Sequence, residues 1–473
     1  MTSKRARGLA IAITVSALTV LTPIGVSSAD PTPTPPPGAT PSAVSTAVPT
    51  SSPTPVVVPT ATPVPTPIPS MSPTPSPSLQ REGEEPASVT LAVTSAGGPV
   101  ADAFYQDLGA YAFAGQVVGV PDGTVVTVSR RSPTGGYRSF VTAVVTGGAY
   151  AASIPVRSGG TFVFQSRFEI AGDPSIVAVS PEVTVTVADS GVALDKPVAK
   201  IDSLQNPTLT GSVFPARAGV RVNIDVLKGK RYAAVANATT DAAGKFSLPF
   251  AYGNGQLTTY SIRSAYHAEN SERWEKSGSR SLARIAVINA KVTETTADEV
   301  AKTYRKGCPV GKSQLRTVTM NFYGRDKQMH RGAIIIRKDL TPEIIRGFTK
   351  ALDHRYPVAK MNNPNVYGGN DPKQMEANNT SGFNCRKVVG NPYRQSPHSY
   401  GIAIDVNTVQ NPYRDSRGKW WPKNGKDYID RSDKRFGMLF KGSYLTASLR
   451  KDHFFWGGFW SPGRDYQHFQ YTK

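Results

Sequence analysis

The segment Ser396-Pro-His-Ser-Tyr-Gly-Ile-Ala-Ile-Asp405 decides how the C-terminal part of this sequence can fold. If residues 401–406 form a strand, alternation places two isoleucines and a valine on one face, which is suited to a buried core. The opposite face then carries only glycine, alanine and Asp405, so two small residues leave space beside a carboxylate. His398 precedes the strand and can turn back over the same space. A histidine and an aspartate that converge on an open face are suited to bind a metal ion such as zinc.

A second segment, Gly463-Arg-Asp-Tyr-Gln-His-Phe-Gln-Tyr471, supplies the remaining groups of a catalytic metal site. His468 is the candidate third ligand. Asp465, three residues earlier, is placed to reach the fourth position, which a catalytic site leaves open to water. Two histidines and one aspartate leave a divalent metal with a net charge of about +1, which lowers the pKa of bound water so that Asp465 can take its proton. His453 competes with His468 as the third ligand.

The residues around these segments predict an α+β domain over residues 291–473. Residues 315–323 and 332–337 have the composition of strands. Thr341 at the N-cap and Pro342 at the first helical position predict the start of a helix, whose apolar stripe continues to about His354. His330 and His354 lie in charged surroundings and are expected to be solvated.

The preceding region, residues 87–290, reads as short strands bounded by Gly, Pro and Asp, with no clear amphipathic helix. It repeats itself at a constant offset of 96 residues, at which Gly115, Gly148 and Tyr150 match Gly211, Gly244 and Phe246. This period predicts two immunoglobulin-like sandwiches, at residues 87–190 and 191–290. Neither contains cysteine. They are spacer modules on one interpretation and wall- or carbohydrate-binding modules on the other.

The N-terminal residues have the pattern of an export signal followed by a stalk. A basic start, a short apolar run and Ser27-Ser-Ala29 predict a secretory signal peptide over residues 1–29, with an uncleaved membrane anchor as the alternative. Residues 30–86 are rich in Pro, Thr and Ser and cannot bury a core, so they predict an extended stalk or a passive linker. We therefore expect a secreted protein with no transmembrane helix in its mature form.

The charge of the chain is concentrated in its C-terminal part. The 473 residues carry a net charge of +20, and Lys and Arg outnumber Asp and Glu by 32 to 16 within residues 291–473. The composition excludes a membrane helix bundle, a wholly disordered chain and a disulfide-dense scaffold. A basic domain suits nucleic acid, an anionic membrane or an anionic wall polymer, and the predicted export signal argues against nucleic acid.

Residues 307–471 resemble the zinc D-alanyl-D-alanine carboxypeptidases and the related L-alanyl-D-glutamate endopeptidases, whose metal fold is shared by the hedgehog signalling domain. The resemblance rests on the two segments above, on Gly307-Cys-Pro, on the run from Asn378 to Arg386, on Asn411-Pro-Tyr413 and on Trp456-Gly-Gly-Phe-Trp460. It implies a zinc site of His398, Asp405 and His468, with Asp465 as the general base and Arg386 stabilising the oxyanion. Gln470 departs from the family, in which many members have Glu after His-Phe.

The two cysteines of the chain, Cys308 and Cys385, both lie within this domain. In an exported protein a pair with no cysteine left over is expected to form one disulfide. Two free buried thiols are the alternative.

Three functions follow as hypotheses. The first is an exported, cell-wall-associated zinc metallopeptidase that hydrolyses peptidoglycan stem peptides as a D-alanyl-D-alanine carboxypeptidase. The second is an L-alanyl-D-glutamate-type endopeptidase at the same site. The third is a non-enzymatic wall-binding or adhesion protein. The expected partners are a peptidoglycan peptide and anionic cell-wall polymers.

Overall fold

The computed structural model describes residues 86–170 and 173–473. The predicted signal peptide and the predicted stalk up to residue 85 lie outside the described residues. The described chain is mostly β-structure, and its three α-helices all lie in the C-terminal part, as predicted for an all-β region followed by an α+β domain. No helix among the described residues combines the length and the apolar character needed to cross a membrane.

The first β-region contains two sheets. In one sheet β4 pairs with β1, β2 and β7, and in the other the order is β3-β10-β8-β5-β6, with β9 also on β8. The sheets face each other across a shared core, in which the rings of Phe113 and Phe164 lie 5.1 Å apart. Its strands are β1 Ser88–Val89, β2 Ala92–Ala96, β3 Phe104–Tyr105, β4 Ala110–Val118, β5 Val125–Arg131, β6 Tyr137–Val144, β7 Ala149–Pro155, β8 Gly160–Ile170, β9 Asp173–Val179 and β10 Val183–Ala188.

The second β-region repeats this arrangement. Its sheets have the orders β11-β13-β16 and β12-β19-β17-β14-β15, with β18 on β17, and in both regions the first strand of the larger sheet is parallel to its neighbour. The immunoglobulin-like assignment remains our interpretation of this two-sheet architecture. Its strands are β11 Gly191–Leu194, β12 Lys200–Asp202, β13 Thr208–Phe214, β14 Arg221–Lys228, β15 Arg231–Thr239, β16 Lys245–Pro249, β17 Thr259–His267, β18 Trp274–Lys276 and β19 Arg280–Ile285.

The glycines that repeat at the 96-residue offset have a packing explanation. Gly115 lies directly across from Tyr150 in the sheet, and Gly211 lies directly across from Phe246. A Cβ on Gly115 would lie 2.5 Å from the Tyr150 ring, and one on Gly211 would lie 2.4 Å from the Phe246 ring. Each aromatic ring therefore covers its partner glycine, which explains why the two positions recur together.

The C-terminal domain combines small sheets with three helices. Strands β20-β21-β22 form one antiparallel sheet and β25-β29-β28 another, while β23–β24 and β26–β27 are two-stranded. Its strands are β20 Lys291–Glu294, β21 Leu315–Tyr323, β22 Met329–Arg337, β23 Lys387–Val388, β24 Asn391–Gln395, β25 Ala403–Asp405, β26 Tyr413–Arg414, β27 Trp420–Trp421, β28 Phe454–Trp456 and β29 His468–Tyr471. Its helices are α1 Thr341–Asp353, α2 Asp371–Glu376 and α3 Tyr444–Lys451.

The predicted elements of this domain form with small shifts. Helix α1 begins at Thr341 itself, with Leu340 as the N-cap, so the prediction of Thr341 as the cap was wrong by one residue. The hydroxyl of Thr341 donates to the Lys338 carbonyl instead. Helices α1 and α3 then pack their apolar faces into one core with β21, β22, β25 and β29. They approach closely at Gly347, where an added Cβ would lie 2.8 Å from Leu449.

Cys308 and Cys385 are joined by a disulfide, as predicted. The bridge lies beside a small apolar cluster that includes Leu315, Ile335 and Phe383. It links the segment before β21 to the segment that leads to β23, and so holds the start of the domain against the residues before the candidate site.

The second β-region and the C-terminal domain share a buried junction. The Asp202 carboxylate accepts hydrogen bonds from the side-chain amides of Asn289 (2.9 Å) and Asn321 (2.8 Å). The backbone nitrogen of Met329 donates to the Gly255 carbonyl at 2.7 Å. Apolar side chains surround these contacts, namely Tyr323, Met329 and Leu352 on one side and Leu204, Leu257 and Ile288 on the other.

Candidate metal centre and its cleft

His398 reaches the candidate site from a tight turn rather than from the start of a long strand. Residues 397–400 form a 3-10 turn, and Gly401 ends it with a left-handed φ of +63°. A Cβ on Gly401 would lie 3.1 Å from the backbone nitrogen of Arg337. The strand therefore begins at Ala403, two residues later than predicted, and Gly401 serves the turn rather than the open face beside Asp405.

Asp405 and His468 are brought together by strand register. Asp405 ends β25, His468 begins β29, and the two residues lie directly across from each other in the antiparallel pair. Oδ1 of Asp405 lies 3.0 Å from Nδ1 of His468, and Oδ2 lies 3.2 Å from Nε2 of His398. One ligand atom from each of the three residues lies within 4.8 Å of the others, and all three residues are buried. His453 is not part of this group, so the geometry brings together the three residues predicted as ligands.

The hydrogen bonds around the two histidines fix which ring nitrogens face the centre. Nδ1 of His398 lies 2.7 Å from the Gly382 carbonyl, which can only accept, so Nδ1 carries the hydrogen and Nε2 of the neutral ring presents its lone pair. Nε2 of His468 lies 3.3 Å from Oε1 of Gln470. When it donates there, Nδ1 presents its lone pair to Asp405. Two nitrogen lone pairs and a carboxylate then converge, a set of donors that fits a bound cation such as Zn²⁺.

The carboxyl of Asp405 is ionised in this setting. Burial opposes its ionisation, but the charges and hydrogen bonds of His398 and His468 outweigh burial and hold the pKa of Asp405 well below its usual range. A carboxylate that stays ionised is the form that a metal ligand requires.

Asp465 is the second buried carboxyl of the site, and its pKa moves in the opposite direction. Burial raises the pKa of Asp465 to about 8; the charge of Asp405 adds to this shift, while His468 and Arg386 oppose it. Its Oδ1 has no hydrogen-bond partner among the described residues. Gly457 allows the close approach, because a Cβ there would lie 2.7 Å from the Asp465 carbonyl oxygen. Two neighbouring carboxyls with separated pKa values are typical of paired acid–base roles.

Arg386, the predicted oxyanion residue, lines the same cleft but is already paired. Its Nη2 lies 2.6 Å from Oδ2 of Asp371, and Nη1 donates to the Lys387 carbonyl at 3.1 Å. No sequence pattern pointed to Asp371. Asp371 is the first residue of the six-residue helix α2 and lies outside the motifs that pointed to Arg386. No local sequence pattern therefore predicted the ion pair between them.

The cleft around these groups has a volume of about 390 Å³. Trp460 lines it and packs against the His468 ring, with centroids 5.2 Å apart. Tyr413 also lines it; burial, followed by the charges of Asp465 and Asp415, raises the pKa of Tyr413 to about 12, so its hydroxyl remains a donor. Both residues lie in segments on which the family resemblance rests, but no sequence pattern assigned a role to either of them.

The remaining histidines of the domain lie outside the cleft lining. His330 pairs with Asp326 at 2.9 Å, with both side chains partly exposed. The His354 ring stacks on Tyr444 with centroids 3.4 Å apart. These contacts agree with the surface positions expected for both.

Comparison with known proteins supports a peptidase in this part of the chain. Residues 390–471 match a family model described as D-alanyl-D-alanine carboxypeptidase. The matched segment contains the three candidate metal ligands and Asp465, and it begins after Arg386. It covers a minor part of the chain.

No curated protein matches the sequence. Among solved structures the chain is similar to the crystal structure of a tetra-tandem repeat in the extending region of a large adhesion protein. The identity is 13%, the match covers 54% of this chain and 64% of that chain, and the TM-score is 0.21. A similarity of this strength carries no conclusion about fold or function.

Proposed function

We propose that the C-terminal domain is a zinc peptidase that hydrolyses peptidoglycan stem peptides, acting as a D-alanyl-D-alanine carboxypeptidase. The observation that carries the proposal is the buried group of His398, Asp405 and His468 beside Asp465 in one cleft, within the segment that matches the carboxypeptidase family model. Zinc held by these three residues would act as a Lewis acid and make water more acidic.

Asp465 is the proton carrier in this proposal. As a carboxylate it takes the proton of the attacking water, and as a carboxylic acid it returns that proton to the amine that leaves. Burial raises the pKa of Asp465 in the metal-free site, and a cation on the three ligands favours the carboxylate that takes the proton.

The other residues bind and orient. Gly382 and Gln470 accept hydrogen bonds from the His398 and His468 rings, so that the unprotonated nitrogen of each ring faces Asp405. Arg386 offers N–H groups to the carbonyl oxygen of the substrate as negative charge develops on it. Trp460 covers the His468 ring and limits the access of water to this side of the site.

Export, wall association and anionic wall polymers as partners belong to the same proposal. The basic C-terminal domain, the signal-like N-terminus and the disulfide support them. An L-alanyl-D-glutamate-type endopeptidase would use the same groups, and mass spectrometry of the digested peptides distinguishes the two cuts.

The experiment compares His468→Ala with His330→Ala in the full chain, assayed on defined muropeptides with zinc present. We expect His468→Ala to abolish cleavage, because it removes a ligand, and His330→Ala to cleave as the wild type does, because His330 pairs at the surface. A folded His468→Ala protein with full activity would contradict the proposal and leave the wall-binding alternative.

A further inference from the structure

Asp371 and Arg386 form a buried ion pair, and the proposed chemistry gives a role to Arg386 but none to Asp371. Their side chains are 4% and 14% exposed, respectively, and their charged atoms lie 2.6 Å apart. Replacing a buried ion pair with apolar residues is often neutral or stabilising, so such a pair is poor evidence of a purely structural role. Both residues line the cleft of the candidate metal centre.

A chain of buried hydrogen bonds connects this pair to the metal-binding strand. The other oxygen of Asp371 accepts from the Gln374 amide, and the Gln374 oxygen accepts from the Ser381 hydroxyl at 2.9 Å. Ser381 and Asp405 exchange two backbone hydrogen bonds of 2.9 Å. The position of Arg386 relative to Asp405 is therefore set through the side chains of Asp371, Gln374 and Ser381, each of which has hydrogen-bond partners of its own.

The backbone of Arg386 is fixed independently. Arg386 follows the disulfide-bonded Cys385, and its backbone nitrogen donates to the Ser399 hydroxyl at 2.9 Å. Ser399 is the residue after His398. A guanidinium carries five N–H donors. Asp371 and the Lys387 carbonyl each engage one N–H, on Nη2 and Nη1 respectively, which leaves a second N–H on each of these nitrogens. Nε is buried and has no partner among the described residues.

We propose that Asp371 is a positioning residue, which holds the Arg386 guanidinium in register with the metal centre so that its remaining donors meet a substrate oxygen. The proposal rests on the peptidase function proposed above. Asp371 does not cap helix α2, because the N-cap of this helix is Asn370. In the proposal Asp371 acts through Arg386 alone.

The test is a double-mutant cycle in the zinc-loaded full chain, with Asp371→Asn, Arg386→Gln and the double variant. We expect Asp371→Asn to lower kcat/KM by at least tenfold and to have less than a twofold further effect once Arg386 is Gln. Zinc affinity is expected to stay within twofold of the wild type. Full activity of Asp371→Asn, or equal losses in both backgrounds, would overturn the proposal.

Removing one partner of a buried pair can prevent folding, so Asp371→Glu provides a second cycle. It keeps the charge but moves it by one methylene, and we expect a smaller loss that again disappears when Arg386 is Gln. A loss that persists in the Arg386→Gln background would overturn the proposal.

A further measurement separates this inference from the proposed function. If the wild type cleaves no muropeptide, the proposed function fails. The pair is then tested by calorimetric titration of the metal-free proteins with a stem pentapeptide. Binding weakened at least fivefold by Asp371→Asn only while Arg386 is present supports the positioning role; no detectable binding, or binding that Asp371→Asn leaves unchanged, overturns it.

Discussion

Binding of zinc to the metal-free protein is expected to release a proton from Asp465. Burial and the charge of Asp405 raise the pKa of this carboxyl to about 8 when no cation is present. At pH 7, below this pKa, most of the molecules therefore carry the proton. A cation bound to the three neighbouring ligands favours the carboxylate, so its pKa falls and the proton leaves.

The sign of the effect follows from the raised pKa. Below about pH 8 the Asp465 proton opposes metal binding, and above about pH 8 there is none left to release. The wild type is thus expected to release about one proton more than Asp465→Asn at pH 7, and about the same number at pH 9.5. Asp465→Asn keeps all three ligands and serves as the matched control.

Isothermal titration calorimetry measures the number of protons released on zinc binding, from the change in binding enthalpy between buffers of different ionisation enthalpy. Equal proton release by the wild type and Asp465→Asn at pH 7 would refute the argument, because it would mean that Asp465 is already ionised in the metal-free site. A difference that persists unchanged at pH 9.5 would also refute it.

Three further predictions concern the framework of the molecule. Gly211→Ala places a Cβ 2.2 Å from the Ala193 carbonyl oxygen and under the Phe246 ring, so we expect urea denaturation to show a free energy of unfolding lower by about 1–3 kcal/mol. In the control Gly278→Ala the new Cβ meets no atom within 4 Å, and we expect little change in the free energy of unfolding. Asn321→Leu removes one hydrogen-bond donor to the Asp202 carboxylate in the buried junction, and we expect it to lower the free energy of unfolding by about 1–3 kcal/mol in the same measurement. An unchanged urea midpoint would contradict a stabilising role for this hydrogen bond. The disulfide links residues that are 77 positions apart, so its reduction is expected to lower the free energy of unfolding by roughly 4–5 kcal/mol in the chain-entropy account. Titration of two free thiols without reductant would contradict the disulfide itself.

The sequence predicted those parts of the site that depend on local spacing. Alternation and small residues predicted a strand over residues 401–406, with His398 turning back before it. A turn does carry His398, and the strand is present over Ala403–Asp405. The repeated glycines and aromatic residues of the two β-regions also predicted a shared architecture, which the matching sheet orders reflect.

The contacts between distant segments could not be predicted in this way. The pairing of Asp371 with Arg386 depends on where helix α2 packs, and the residue spacing within either segment does not predict that packing. Asp202 and Asn321 are 119 residues apart in the chain. The role of Gly401 was misjudged for a related reason: a glycine can signal either an open face or a left-handed turn, and only the approach of Arg337 decides between them.

The most direct test of the central claim is incubation of the purified full chain with a muropeptide pentapeptide, with zinc or with an excess of chelator, followed by mass spectrometry. The proposed function predicts loss of the terminal D-alanine with zinc and an intact peptide with chelator. An intact peptide under both conditions, or the same cleavage under both, would contradict it.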